Sequence, residues 1–266
     1  MLFTDFKRVL ILFVIICWRL EVEALRQTFD ERLQEIETYL ELLESIEQQV
    51  RAGPPRLGTH GPLITTDQQK ILYSSVYLQL YNLVEATITR CLDAVCEAAT
   101  NGWYPSDLSI HFQREWVRFI ARTHVELNHE NRLKHALDLF GELVPAAPIS
   151  KLKVERAGGN WDDDEIKGIT DRIGLSLRIS RPVYEGIKRP IRDDKGPLVL
   201  IKALRNELAH GTISFVECGD GVTVADLRDL KNKTALYLSE VVASFANAIS
   251  SCEFLTKARR PMEAPA

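Results

Sequence analysis

Between Leu25 and Val50 the apolar residues return at steps of three and four. Leu25, Phe29, Leu33, Ile36, Leu40, Leu43, Ile46 and Val50 are spaced by 4, 4, 3, 4, 3, 3 and 4. A strand repeats every two residues, so this spacing excludes a sheet here and predicts an amphipathic helix of about seven turns. The opposite face carries Asp30, Glu31, Glu35, Glu37, Glu41, Glu44 and Glu47 against Arg26 and Arg32. Such a face reads as solvated and is poorly suited to touching phosphate. Gly53-Pro54-Pro55 ends the helix.

The same period governs the rest of the chain. Thr66-x-x-Gln69 reads as a capping box opening a long helix to about Ala99. Ile71, Leu72, Val76, Tyr77, Leu80, Tyr81, Leu83, Val84 and Ile88 make that helix apolar nearly all round, the mark of a central buried element. Gly102 and Pro105 close it, and Ser106 is placed to cap a helix through Trp116 to Ala121. A further helix is expected over Asn131 to Leu143, with a loop at Pro145 and Pro148. Asp162 to Asp164 would cap a short helix ending at Gly174. Pro197 suits the first position of a helix running to His210, with Gly211 as terminator. Thr223-x-x-Asp226 resembles another cap, and Leu227 to Leu255 supplies the last long helix. Thr212 to Val216 is at most one short extended piece. The expectation is an all-α, compact multi-helix bundle with long inter-helix loops.

Composition narrows the function classes. With 33 Lys+Arg against 37 Asp+Glu the formal net charge is −4, which excludes a strongly cationic nucleic-acid coat but not a local basic site. An apolar fraction of 45% excludes a disordered chain. The five cysteines, Cys17, Cys91, Cys96, Cys218 and Cys252, are odd in number and contain no C-x-x-C, which favours reduced thiols over a disulfide framework. Cys91 and Cys96 lie in an apolar helical stretch and read as core thiols.

The first 24 residues stand apart. Lys7 and Arg8 precede the apolar run Val9 to Trp18, with Val22-Glu23-Ala24 behind it, the outline of a signal sequence. The run is half the length a membrane-spanning helix needs, about 20 residues. Arg19, Glu21 and Glu23 spoil the approach to the cleavage position. Three readings fit: a start assigned too far upstream, a signal or anchor, or a helix packed on the domain. Residues 259–266 read as a disordered tail.

A basic stretch lies late in the chain. Arg178, Arg181, Lys188, Arg189, Arg192, Lys195, Lys202 and Arg205 outnumber Glu185, Asp193 and Asp194, a local balance of +5 in an acidic protein. It leads into Arg205-Asn206-Glu207-Leu208-Ala209-His210-Gly211. Asn206 and His210 are four apart and share a helical face, with Arg205 about 100° round. His210 falls on the last turn, where the helix dipole favours a positive imidazole, suiting a group that takes and gives a proton near neutrality. An Arg to neutralise charge developing on phosphorus and a His for acid/base work on a ribose hydroxyl are what phosphodiester cleavage without a metal needs. A cap or ion pair at a helix end would use the same residue types.

The wording of this segment resembles the signature of the HEPN superfamily. Phe29-Asp30-Glu31-Arg32-Leu33, Glu35-Ile36-Glu37, Tyr81-Asn82-Leu83-Val84-Glu85, Gly159-Asn160-Trp161 and the run from Leu208-Ala209-His210-Gly211 into Ser214-Phe215 resemble its prokaryotic MAE-like branch. The resemblance covers about Leu25 to Leu255 and implies a single HEPN domain over residues 25–258. It also implies endoribonuclease activity independent of metal or cofactor, in a toxin–antitoxin or phage-defence setting, with a homodimer pairing two motifs at one cleft. On that resemblance Arg205 and His210 match the two fixed positions and Asn206 the polar residue after the Arg. Glu85 matches the acidic residue on an early helix that orients the Arg or His; a plain helix-face carboxylate is the other reading. Arg189, Arg192 and Lys202 are the expected substrate-binding cations. RNA is the expected substrate, an antitoxin or defence-system protein a possible partner, and the cytoplasm the expected compartment unless residues 1–24 anchor or export the chain.

Other motifs lead nowhere. His124 and His129 with Glu126 miss the His-Glu-x-x-His spacing by one residue. Gly158-Gly159 lacks the Lys-Ser/Thr of a phosphate loop. Asn232-Lys233-Thr234 spells a glycosylation sequon inside an expected helix. Cys218 follows the motif by eight residues but reads as a structural thiol.

Overall fold

The computed structural model describes residues 2–58, 60–123, 125–144, 146–155 and 160–261, with side chains from residue 23 onward apart from that of residue 52. Among them are nine α-helices: α1 (Leu2–Ala52), α2 (Thr66–Thr100), α3 (Ile110–Ala121), α4 (His129–Leu143), α5 (Asp163–Ile173), α6 (Arg181–Lys188), α7 (Pro197–Ala209), α8 (Phe215–Cys218) and α9 (Val224–Ser250). A single turn of 3₁₀ helix, Pro105–Asp107, precedes α3. Extended pairing among the described residues is limited to isolated bridges. The all-α reading holds.

The expected central helix is central. α2 touches α1, α7, α8 and α9, and Val76, Leu80, Ile88, Cys91 and Val95 on it are fully buried. α1 presents Leu25, Phe29, Ile36, Leu40, Leu43 and Ile46 to this core, the stripe read from the spacing. α6 packs on α9, and α3 bridges to α4 and α5.

Several boundaries differ from the sequence reading. α1 does not begin at Leu25; its backbone runs unbroken from Leu2, so the N-terminal apolar run continues the first helix. The capping box of α2 is Thr65 with Gln68, one residue earlier than expected. α3 is capped by Ser109 rather than Ser106, because Pro105 starts the 3₁₀ turn instead. Thr212 to Val216 is not extended: Ser214 and Glu217 form a capping box that opens α8. The basic loop contains a helix, α6, started by Pro182 within its first turn. Residues 259 and 260, expected in a disordered tail, are tied to the domain: Arg259 pairs with Asp107 (2.7 Å) and Arg260 donates to the Leu255 and Glu253 carbonyls. Residues 262–266 lie outside the described residues.

The acidic face of α1 is not wholly solvated. Arg228 on α9 reaches Glu37 and Glu44, and Lys231 reaches Glu37 at 2.5 Å. The bonds from Lys231 and Arg228 hold the Glu37 carboxyl below the usual carboxylate range. These pairs clamp α1 directly to α9.

Residues 191–195 make a tight turn, with Ile191 N–H donating to Lys195 O (2.8 Å) and Lys195 N–H to Arg192 O (2.9 Å). Asp193 (φ +50°) and Asp194 (φ +55°) are both left-handed, the geometry of a two-residue turn that normally takes Asn-Gly. Asp194→Gly is therefore expected to raise stability by about 0.5–1 kcal/mol, read as a higher denaturation midpoint.

The four described cysteines, Cys91, Cys96, Cys218 and Cys252, are buried and unbridged, as the sequence suggests. Burial pushes up the thiols of Cys91 and Cys218, and that of Cys252 to about 12. The folded chain thus keeps protons that the unfolded chain releases above about pH 8.5, so stability falls as pH climbs past that value. Denaturant midpoints are expected to drop between pH 7.5 and pH 9.5, and native Cys218 is expected to resist alkylation at pH 8 that succeeds after unfolding.

Candidate functional site

The motif sits where α7 ends. Pro197 starts the helix, and Leu198, Ile201, Leu204 and Leu208 bury its inner stripe. At the far end Thr212 N–H donates to Glu207 O (2.9 Å) and Gly211 N–H to Leu208 O (3.2 Å). This paired closure requires a left-handed residue after the cap, and Gly211 supplies it at φ +68°. His210 is the cap residue, exposed to solvent, with its N–H donating to Asn206 O at 3.0 Å.

Arg205 is held from two sides. Its guanidinium carbon lies 3.8 Å from the centroid of the Tyr81 ring, a cation–π arrangement on a ring that is 1% exposed. Its Nη1 donates to Asn206 Oδ1 at 2.8 Å. Glu85, one turn beyond Tyr81 on α2, brings a carboxylate oxygen to 3.8 Å from Nη2, beyond hydrogen-bond reach. Tyr81 and Asn206, rather than Glu85, set the guanidinium plane. Burial pushes the Tyr81 phenol up, opposed by the bond from Trp161 N–H and by the charge and side-chain hydrogen bond of Arg205.

A strap of three residues completes the arrangement. Asn206 Nδ2 donates to Asn160 Oδ1 (3.1 Å), Trp161 N–H donates to the Tyr81 hydroxyl (3.3 Å), and Lys202 pairs with Asp162. Asn160 to Asp162 therefore ties two successive turns of α7 to α2. The same Asp162 caps α5.

The structure brings Arg205, Asn206, Glu85 and Lys202 together, with His210 on the next turn of α7. Arg189 caps α6, its N–H donating to Glu185 O, and Arg192 faces Asp193 at 3.7 Å and lies beside Tyr77 and Cys218. Much of the +5 balance is consumed locally. Lys188 pairs with Asp163 (2.6 Å) and Asp164 (2.8 Å), Arg181 with Glu185 (2.7 Å), and Lys202 with Asp162. Most of these partners lie outside the counted stretch, which a local charge count misses.

Beside the cluster lies an open groove of about 380 Å³ lined by Leu78, Asn82, Glu85, Arg205, Leu208, Ala209 and Phe215. In the sequence Tyr81 and Phe215 stand out only as part of the core pattern and the family resemblance; neither the contact of Tyr81 with Arg205 nor this groove is visible there. The four-residue spacing of Tyr81 and Glu85 was the available signal, since it puts both on one face of α2. Cys218, the last residue of α8, is fully buried and does not line the groove. His124 and Gly158-Gly159 lie outside the described residues; His135 pairs with Asp138 at 3.2 Å. Asn232-Lys233-Thr234 lies within α9, with Thr234 fully buried.

The family model described as MAE-like HEPN matches residues 22–254. The chain belongs to the MAE-like HEPN family. HEPN membership points to a nuclease or RNA-related function. No curated protein and no solved structure matches the chain. Among the described residues no helix is long and apolar enough to cross a membrane.

Proposed function

We propose that this HEPN protein is an endoribonuclease that works without a metal, serving as a toxin or defence-system effector in the cytoplasm. The observation that carries the reading is the end of α7: a preset Arg205 guanidinium, an exposed His210 at the helix cap, and an open groove lined by Arg205 and by Ala209, the residue before His210. In this reading His210 takes the proton of a ribose 2′-hydroxyl, whose oxygen attacks the adjacent phosphorus; the bond from phosphorus to the 5′-oxygen of the next nucleotide breaks, that oxygen leaves as a hydroxyl with the proton His210 took, and a 2′,3′-cyclic phosphate remains. Arg205 neutralises the charge that builds on the phosphoryl oxygens, and its fixed plane means little reorganisation at that moment. Asn206 and Tyr81 are positioning residues for Arg205. Two copies in a homodimer would set two motifs at one cleft, and an antitoxin or neighbouring defence protein would restrain them. The domain is taken as residues 25–258.

A second reading is a non-catalytic HEPN module that binds RNA, a nucleotide or a protein through the same groove. The internal neutralisation of the basic stretch favours it, because weak phosphate attraction suits selective binding more than processing of bulk RNA. The deciding experiment is incubation of the full chain with total RNA in the presence of EDTA, with end-group analysis. Cyclic-phosphate ends support the ribonuclease; binding without turnover supports the module.

A further inference from the structure

We propose that the groove beside Arg205 is a subsite for an unpaired nucleobase, and that Glu85 selects guanine there. The inference rests on the ribonuclease reading and adds the substrate preference of the same site. The groove has the mixed chemistry of a base. Leu78, Leu208, Ala209 and Phe215 give it apolar walls suited to the faces of a planar ring. Asn82, Glu85 and Arg205 put polar groups where the edge of such a ring would lie. Ala209 directly precedes His210, so a base seated here brings its ribose toward the end of α7.

Glu85 forms a loose ion pair with Arg205, which leaves its hydrogen-bonding capacity open on the groove side. At 3.8 Å it makes no hydrogen bond to Arg205, whose plane is fixed by the Asn206 bond at 2.8 Å and the Tyr81 ring at 3.8 Å. Its side chain is 43% exposed, so its carboxylate oxygens remain accessible from the groove. A carboxylate only accepts hydrogen bonds. Guanine offers two donors side by side, N1–H and the 2-amino group, which can meet both oxygens at once. Uracil flanks its single N3–H with two carbonyl oxygens, which a carboxylate repels. Asn82, exposed one turn before Glu85 at the groove edge, has an amide that can donate to the guanine O6.

The test uses the full-length chain on short oligoribonucleotides that differ only in the base flanking one cleavable step. Wild type is expected to favour guanine over uracil by about five- to a hundred-fold, the range of one bidentate base contact. Glu85→Gln, which keeps the shape but replaces one acceptor with a donor, is expected to collapse that ratio. Equal cleavage at all four bases overturns the proposal while leaving the ribonuclease reading intact. So does a Glu85→Gln variant that slows every substrate by the same factor, which would make Glu85 a positioning residue. Titration of His210→Ala with guanosine 5′-monophosphate and uridine 5′-monophosphate gives a readout independent of cleavage. Guanine-selective binding that Glu85→Gln abolishes supports the subsite even if wild type cuts no RNA, in which case the ribonuclease reading alone falls. Unselective or absent binding together with no cleavage overturns both.

Discussion

RNA cleavage in EDTA is expected to fall by about 10²–10⁴ in His210→Ala, the usual contribution of one positioned acid or base. The thermal midpoint should barely move. His210 is exposed, and its backbone bond to Asn206 O survives the substitution. Arg205→Ala is expected to cost about 10²–10³ in rate, the loss typical of one preorganised charge-stabilising donor. It should also lower stability modestly, because Arg205 covers the Tyr81 ring and satisfies Asn206 Oδ1. Arg205→Lys separates charge from geometry. An ammonium keeps the charge but loses the planar fork, so it should recover only part of the rate. Expression of wild type should slow growth while both alanine variants are tolerated. A wild type that leaves total RNA intact and cells unharmed would sink the ribonuclease and bring the binding module forward.

The fold was legible because a helix that buries one stripe writes its period into the chain. The steps of three and four from Leu25 to Val50 and the all-round apolarity from Ile71 to Ile88 specified α1 and the central α2. Proline and glycine placed the ends of α7, since Pro197 has no N–H to lose in a first turn and Gly211 tolerates a positive φ. What escaped was non-local. Ser109 and Thr65 beat Ser106 and Thr66 as caps because neighbouring residues fix which hydroxyl faces the open N–H groups. A charge count along residues 178–205 saw a basic patch, whereas Lys188 and Lys202 are matched by Asp162, Asp163 and Asp164 at the start of α5. The motif residues were visible in order, but the platform under Arg205 was not. Tyr81 lies on a different helix, and its apolar neighbours made it look like ordinary core.

That platform makes the second large prediction. Tyr81→Ala removes a ring that is 1% exposed and packed at the middle of α2, an expected loss of about 3–5 kcal/mol by analogy with other aromatic truncations. Tyr81→Phe keeps the ring under Arg205 but takes away the oxygen that accepts from Trp161 N–H, a buried donor left unpaired at about 1–3 kcal/mol. The two variants thus separate strap from platform. Tyr81→Phe should melt lower yet cleave RNA within a few-fold of wild type, since the cation–π contact and the Asn206 bond that set the guanidinium plane survive the loss of the hydroxyl's own bond to Arg205. Tyr81→Ala, assayed at a temperature where circular dichroism still shows it folded, should lose well over an order of magnitude in rate, because the surface that fixes the Arg205 plane is gone. If Tyr81→Phe proves as inactive as Tyr81→Ala while remaining the more stable of the two, the hydroxyl and the Asn160–Asp162 strap, not the ring, govern the geometry of Arg205. Growth inhibition on expression should then track the hydroxyl as well, because in cells as in the tube the rate depends on where the guanidinium is held.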